Sequence, residues 1–370
     1  MADPSPSRRH LLRAGLVSGA VGSIAACEPC AGVASGPAVH TRQRVRWRLA
    51  SSFPSTLDTI FGASTVLADE VAAMTDGQFT IEVYQAGELV PALQVLDAAQ
   101  KGSCEVGQTA GYYYVGKNPA LAFDTCLPFG LNSRLQTAWL QEAGGLDLVN
   151  SVYAQFSVRS FPCGNTGTQM GGWYRTAIQS LADLKGLKMR IPGLGGKVLD
   201  LLGVSVQNIP GGDVYPALQR GVIDATDWVG PYDDELLGFY QVAKIYHYPG
   251  WWEPGPSLSF VVNQDAWDSL PSDYQAIFTA ASNRAATTMQ ARYDAKNPPA
   301  LQRLLGHGVQ LVPFPEDVMA AAREASDQLL SDLSSESADF ARILEAWQGY
   351  RKGAATWFGT AERAFRNAGG

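Results

Sequence analysis

Three stretches of the chain set polar side chains among glycines and aromatics, and each carries its own chemistry. Gly164-Asn165-Thr166-Gly167-Thr168-Gln169-Met170-Gly171-Gly172-Trp173 offers amide and hydroxyl groups on a backbone that can approach a ligand closely. The same composition also suits an ordinary turn. In Leu187-Lys188-Met189-Arg190-Ile191-Pro192-Gly193 an arginine alternates with apolar residues at a strand end. A guanidinium there can hold a carboxylate through two parallel hydrogen bonds; a surface arginine is the plain alternative. The third is Asp224-Ala225-Thr226-Asp227-Trp228, answered further on by Tyr248-Pro249-Gly250-Trp251-Trp252-Glu253-Pro254-Gly255. Asp227 and Glu253 each stand beside tryptophan. A carboxylate buried in such company is costly without a positive partner. Arg190 or a bound cation would provide one, and oxygen donors suit Na⁺, Ca²⁺ or Mg²⁺ rather than zinc.

Familiar catalytic patterns fail. Gly193-Leu194-Gly195-Gly196-Lys197-Val198 has valine where a dinucleotide loop needs its third glycine, and valine where a phosphate loop needs Ser or Thr after lysine. There is no G-x-S-x-G elbow and no metallopeptidase pattern. With 4 histidines, poorly placed for a triad, enzymatic chemistry would have to run through carboxylates and arginine.

The elements that must position these residues follow a β-α-β rhythm. Strands are expected at 44–51, 79–84 and 104–109, with helices at 59–74 and 91–101 between them. A second such series fills about 165–250, with strands at 187–191, 204–208 and 223–228. Residues 152–163 look extended, and 258–263 form an apolar strand. A helical stretch at 273–305 is long enough to bridge two lobes, or to be two helices bent at Pro298-Pro299. This rhythm implies mostly parallel sheets covered by helices. The 370 residues suggest two domains, and 46% hydrophobic residues can fill both cores. A net charge of -7 argues against a nucleic-acid partner.

Residues 1–40 read as an export and processing segment. Arg8-Arg9 in a basic stretch precedes the weakly apolar 14–26, which resembles a twin-arginine signal. Ile24-Ala25-Ala26-Cys27 resembles a lipoprotein box with Cys27 as anchor, while 31–38 offers spacing for an ordinary peptidase. Beyond this segment only Cys104, Cys126 and Cys163 remain, in apolar surroundings that suggest buried thiols.

Long ordered blocks of the chain resemble the solute-binding proteins of tripartite ATP-independent periplasmic (TRAP) transporters, in the branch that takes small 2-oxo and 2-hydroxy monocarboxylates such as pyruvate and lactate. The blocks are 86–91, 109–114, 127–132, 164–173, 183–190, 211–218, 224–235 and 248–253. The resemblance implies an α/β, two-lobed periplasmic-binding-protein fold of type II character, with a hinge cleft and a long bridging helix. It implies capture without catalysis, and delivery to a small and a large membrane subunit. Arg190 would pair with the substrate carboxylate. Gln169, Asp227, the carbonyl of Trp228 and Glu253 would hold a cation that also meets the substrate. Asn165 and one of Tyr113 and Tyr114 would lie near the ligand. Asp227 stands where keto-acid binders commonly carry Glu, which leans the expected cation towards Ca²⁺, with Na⁺ as the alternative. The expected lobes are 41–163 with 256–297, and 164–255 with 298–350. A helical tail at 351–370, bearing Trp357, Phe358 and Phe365, would serve a homodimer. A ligand sensor built on the same trap, or a secreted metal-assisted enzyme, are the competing readings.

Overall fold

The structure, a computed structural model, describes residues 43–369. The expected export segment, its cleavage point and Cys27 lie outside the described residues. The first half-chain gives strands β1 (Val45–Ser51), β2 (Phe79–Tyr84), β3 (Val106–Thr109) and β4 (Val158–Asn165). Between them lie helices α1 (Gly62–Met74), α2 (Val95–Gln100), α3 (Ala122–Thr125), α4 (Ser133–Glu142) and α5 (Gly145–Tyr153). The middle of the chain carries β5 (Trp173–Tyr174), β6 (Lys188–Arg190), β7 (Ser205–Gln207), β8 (Ala225–Thr226) and β9 (Ile245–Tyr248), with α6 (Gly193–Leu201), α7 (Gly211–Gln219) and α8 (Pro231–Leu236). Then come β10 (Ser257–Asn263), α9 (Gln264–Asp268), α10 (Ser272–Gly306), β11 (Gln310–Pro313), α11 (Glu316–Glu336), α12 (Ala338–Phe358) and α13 (Ala364–Asn367).

The strands form two sheets, ordered β2-β1-β3-β10-β4 and β11-β9-β5-β8-β6-β7. Each sheet is parallel except for one strand, β10 in the first and β5 in the second. Both reversed strands follow directly on a segment that crosses from one sheet to the other. A strand entering from a crossing runs the opposite way to one entering from a covering helix, so parallel rhythm alone misses it. The fold is α/β and two-lobed.

One local expectation needs correction, and one alternative is decided. Residues 152–163 are not extended throughout: α5 and a 3₁₀ turn run to Phe156, Ser157 takes φ 53°, and the strand starts at Val158. The long helix does not break: α10 runs 35 residues through Pro298 and Pro299. Its first half packs Phe278, Ala285 and Met289 into the core that holds Trp47 and Phe260, and Tyr293 and Leu304 belong to the same apolar cluster as Trp173 and Tyr246. α12 contributes Phe340, Ile343 and Trp347 to a cluster with Phe123, Trp139 and Val261 around the first sheet. Cys104, Cys126 and Cys163 are free thiols, all buried.

Candidate solute-binding site

The site starts from strand register. β6 and β8 run parallel with Arg190 opposite Thr226, so Asp227 sits one residue beyond the strand end, next to the guanidinium. Asp227 N–H donates to the Arg190 carbonyl at 2.9 Å. The Arg190 side chain donates from Nε to the Ile209 carbonyl at 3.1 Å and from Nη1 to the Asp227 carbonyl at 2.8 Å. Its guanidinium carbon lies 5.1 Å from the centre of the Trp228 ring. Backbone acceptors and an indole face thus fix the head group, and Arg190 is only 2% exposed.

Two crossing segments bring the other oxygens. Gln169 N–H donates to the Glu253 carbonyl at 3.1 Å, and Gly250 N–H to the Gln169 carbonyl at 3.0 Å. The crossings therefore run side by side, with Gln169 and Glu253 paired. Gly172, at φ +83°, passes so close that a Cβ would meet the Thr226 carbonyl oxygen at 2.4 Å; only glycine fits there. Gln169, Asp227 and Glu253 are all buried.

These groups are not all satisfied. Asp227 Oδ1 accepts from Trp252 Nε1 at 2.9 Å. Its Oδ2 is 3.8 Å from Arg190 Nη1, an ion-pair contact too long for a hydrogen bond. Gln169 Nε2 donates to Thr166 Oγ1 at 3.1 Å, leaving Oε1 free. Asp227 Oδ2 and Gln169 Oε1 are buried oxygens without a hydrogen-bond partner. Glu253 Oε2 has one long contact, 3.4 Å from the Tyr112 hydroxyl. Burial pushes Asp227 up to about 7, against the pull of Arg190 and the Trp252 hydrogen bond. Burial also holds Glu253 well above its usual range, the Asp227 charge adding to it, while Arg190, Tyr112 and Gln169 pull the other way. Two acids share one guanidinium, and their few donors leave Asp227 Oδ2 without a hydrogen bond. Among the described residues no group of three or more His, Cys, Asp and Glu side chains forms a metal cluster. An amide and a backbone carbonyl would have to complete any cation shell here.

The turn that follows β3 covers this floor. Tyr112, on the 3₁₀ turn Gly111–Tyr114, brings its hydroxyl to Glu253 and its ring against Gly193, where a Cβ would meet it at 3.1 Å. Tyr113 is raised by burial and drawn back by the neighbouring Arg190. Tyr114 points elsewhere: its hydroxyl pairs with Thr109 Oγ1 at 2.9 Å and accepts from Leu96 N–H at 3.1 Å inside the first lobe. Asn165 is likewise consumed by backbone, donating to the Gly255 carbonyl and accepting from Gly167 N–H, both at 2.9 Å. It ties the crossings together. Tyr112 and Trp252 are the site residues that pattern reading passed over. A 3₁₀ turn spreads three consecutive tyrosines to three sides, so the triplet alone cannot say which one faces Glu253.

The sequence profile of the bacterial extracellular solute-binding proteins, family 7, matches residues 50–336. The chain belongs to this family. It is thus a solute-binding protein of the TRAP type and not an enzyme, and it works outside the cytoplasm. Among the described residues no helix is long and apolar enough to cross a membrane. The chain is 53% identical to the monocarboxylate 2-oxoacid-binding periplasmic protein of Nostoc sp. over 323 residues, 87% of this chain and 88% of that one. A TRAP solute-binding protein of Bordetella bronchiseptica, a dimer with calcium and picolinate in an active site, superposes with TM-score 0.87 at 47% identity, covering 88% of this chain and 97% of that one. One from Pseudoalteromonas atlantica, with sodium and pyruvate bound, gives TM-score 0.85 at 41% identity, covering 88% and 99%.

Proposed function

We propose that this solute-binding protein captures a small 2-oxo monocarboxylate such as pyruvate, or its 2-hydroxy counterpart lactate, together with a cation, and delivers it to the membrane subunits of a TRAP transporter. One observation carries the reading: Asp227 Oδ2 and Gln169 Oε1 are buried without hydrogen-bond partners, beside a Glu253 whose contact with Tyr112 is long. Buried oxygens in that state call for a positive ion. Gln169, Asp227, the Trp228 carbonyl and Glu253 are the groups that would hold it. Calcium suits the charge balance: two carboxylates and one guanidinium leave one negative charge, a divalent ion turns that positive, and a monocarboxylate restores neutrality. Sodium would leave the loaded site negative. When bound, the cation adds an electrostatic anchor for the substrate carboxylate and the oxygen on carbon two. Arg190 holds the carboxylate from the protein side, and Tyr112 and Tyr113 seal the cleft from the first lobe.

Calorimetric titration tests the substrate class. Pyruvate, 2-oxobutanoate and lactate bind, while acetate and propionate, which lack an oxygen on carbon two, do not. Equal affinity for propionate and pyruvate would reject the chelate.

The lobes follow from the same reading. We assign the first sheet with its helices to one lobe and the second sheet to the other, α10 joining them, and move α12 from the second lobe, where 298–350 was expected, to the first on account of Phe340 and Trp347. The tail serves a dimer. Trp357 is 64% and Phe365 68% exposed, while Phe358 lies against Arg134 of its own chain. Export follows the twin-arginine route through Arg8-Arg9, with Cys27 as the residue that would carry a lipid. Replacing both arginines by lysine then leaves the precursor in the cytoplasm.

A further inference from the structure

A second polar cluster joins the two lobes without touching the binding site. Asp233, in the first turn of α8, is fully buried. Its Oδ1 accepts from the Thr59 hydroxyl of the first lobe, and its Oδ2 from the Tyr293 hydroxyl of α10 at 2.7 Å. Next to it, the Tyr232 hydroxyl donates to Asp58 Oδ1 at 2.9 Å. Lys296 of α10 pairs with Asp58 Oδ2 and lies 4.5 Å over the Tyr232 ring. Arg292 Nη1 donates to the Asp58 carbonyl at 2.8 Å. Asp58-Thr59 of the first lobe is thus gripped between α8 and α10.

The neighbouring aspartate shows what is unusual. Asp234 is equally buried, yet all its donors belong to the second lobe: Trp173 Nε1 at 2.8 Å, Tyr246 hydroxyl at 2.7 Å, and the N–H groups of Val229 and Gly230 at 3.2 and 3.1 Å. That is how an acid serves the folding of its own lobe. Asp233 takes its donors from the other lobe and from the helix that spans both.

We propose that Asp58-Thr59, Tyr232-Asp233 and Tyr293 form an interlobe latch that favours the closed conformation independently of the ligand. Opening would draw α8 away from Thr59 and leave Asp233 short of a donor. Closure restores it, so the cluster contributes a free-energy difference between the two states. That difference sets how often the free protein is closed, and the apparent affinity scales with that fraction. Burial raises Asp233 to about 7, against the hydrogen bonds from Thr59 and Tyr293, as befits a carboxyl taken out of water. None of Arg190, Gln169, Asp227 and Glu253 bonds to the latch, so its variants leave the binding groups in place. The proposal rests on the solute-binding reading only for the hinge motion.

Thr59→Val removes the hydroxyl at nearly constant volume. Small-angle scattering of the free and the calcium- and pyruvate-loaded protein, calorimetric affinity and melting midpoints are the readouts. The expected result is a more extended free protein, an unchanged loaded protein, and pyruvate affinity weakened roughly tenfold. Thr59→Ser, which keeps the donor, restores both. Asp58→Asn, at the exposed rim, shifts both in the same direction by less, and it carries the test should Thr59→Val fail to fold. Wild-type dimensions and affinity in Thr59→Val and Asp58→Asn would overturn the latch. So would an equal drop in the melting midpoint of free and loaded protein with affinity unchanged. If the wild-type protein bound no monocarboxylate, the functional reading would fall, while scattering of the free variants would still decide the latch.

Discussion

Asp124 in the first lobe and Asp227 in the second are each about 1% exposed. Asp124 accepts from Tyr153 at 2.7 Å, Ser259 at 2.6 Å and Ser160 at 3.4 Å, all hydroxyls of its own lobe. Asp227 accepts from one indole, and its second oxygen faces an arginine too distant to bond. Burial raises both acids, but only at Asp227 is the raising resisted mainly by a charge rather than by hydroxyl donors. On the proposed reading, the comparison separates a structural acid from a binding one. Where the surrounding chain supplies donors, a buried carboxylate holds the fold; where it withholds them, the carboxylate is kept for something that comes from outside.

The largest expected effect comes from removing the one positive partner. Arg190→Ala should cost about 2–5 kcal/mol of pyruvate affinity, since it leaves the substrate carboxylate and Asp227 unpaired. Titration calorimetry checks it, and unchanged affinity would dissolve the distinction between the two acids. Next, Asp227→Asn should weaken cation-dependent binding by roughly 10- to 100-fold while leaving the melting midpoint of the cation-free protein the same or higher. Asp124→Asn should do the reverse, lowering stability by about 1–3 kcal/mol and sparing affinity. A double dissociation in calorimetry and thermal melts sharpens the comparison; parallel losses would break it.

Only the Asp227 side of this contrast was legible in the sequence; nothing in the spacing singles out Asp124. Gln169, Arg190, Asp227 and Glu253 converge as their segments suggested, because each follows a strand end or a glycine-rich crossing. Asn165 and Tyr114 hydrogen-bond to backbone groups and, for Tyr114, to Thr109. Such competition depends on three-dimensional neighbours and leaves no trace in spacing. Tyr112 was hidden among three tyrosines for the same reason. The alternating and apolar runs located most strands, yet the reversed directions of β5 and β10 followed from the crossings, which carry no periodicity of their own. The helix through Pro298 and Pro299 shows packing overriding propensity, with Tyr293 and Leu304 buried on either side of the prolines.

Smaller effects probe the rest of the buried acids. Asp233 is raised above its unfolded value near 3.9, to about 7. Its contribution to stability is therefore fully present below pH 4 and lost as pH rises through about 7. Asp234, Asp58, Lys296 and Tyr293 face it, so the net slope belongs to the cluster. Asp233→Asn should flatten the fall of the melting midpoint between about pH 4 and 7 by a few degrees, on the order of 2–4 °C per kcal/mol. The smallest effect on binding is expected at the tail. Truncation after Ala354 removes Trp357 and Phe365 and should convert a dimer to a monomer by light scattering, with affinity within about twofold of wild type, as these residues lie outside the cleft. A full-length monomer would remove the role given to the tail.

The central claim is that the buried side-chain oxygens of Gln169, Asp227 and Glu253 await a cation that the substrate shares. Titrating pyruvate into protein stripped by exhaustive chelation, then into the same protein with Ca²⁺ or Na⁺ restored, tests it most directly. The account predicts that binding is lost on stripping and recovered with Ca²⁺; recovery with Na⁺ alone would keep the site and change its ion. Equal pyruvate affinity in stripped and reconstituted protein would contradict it.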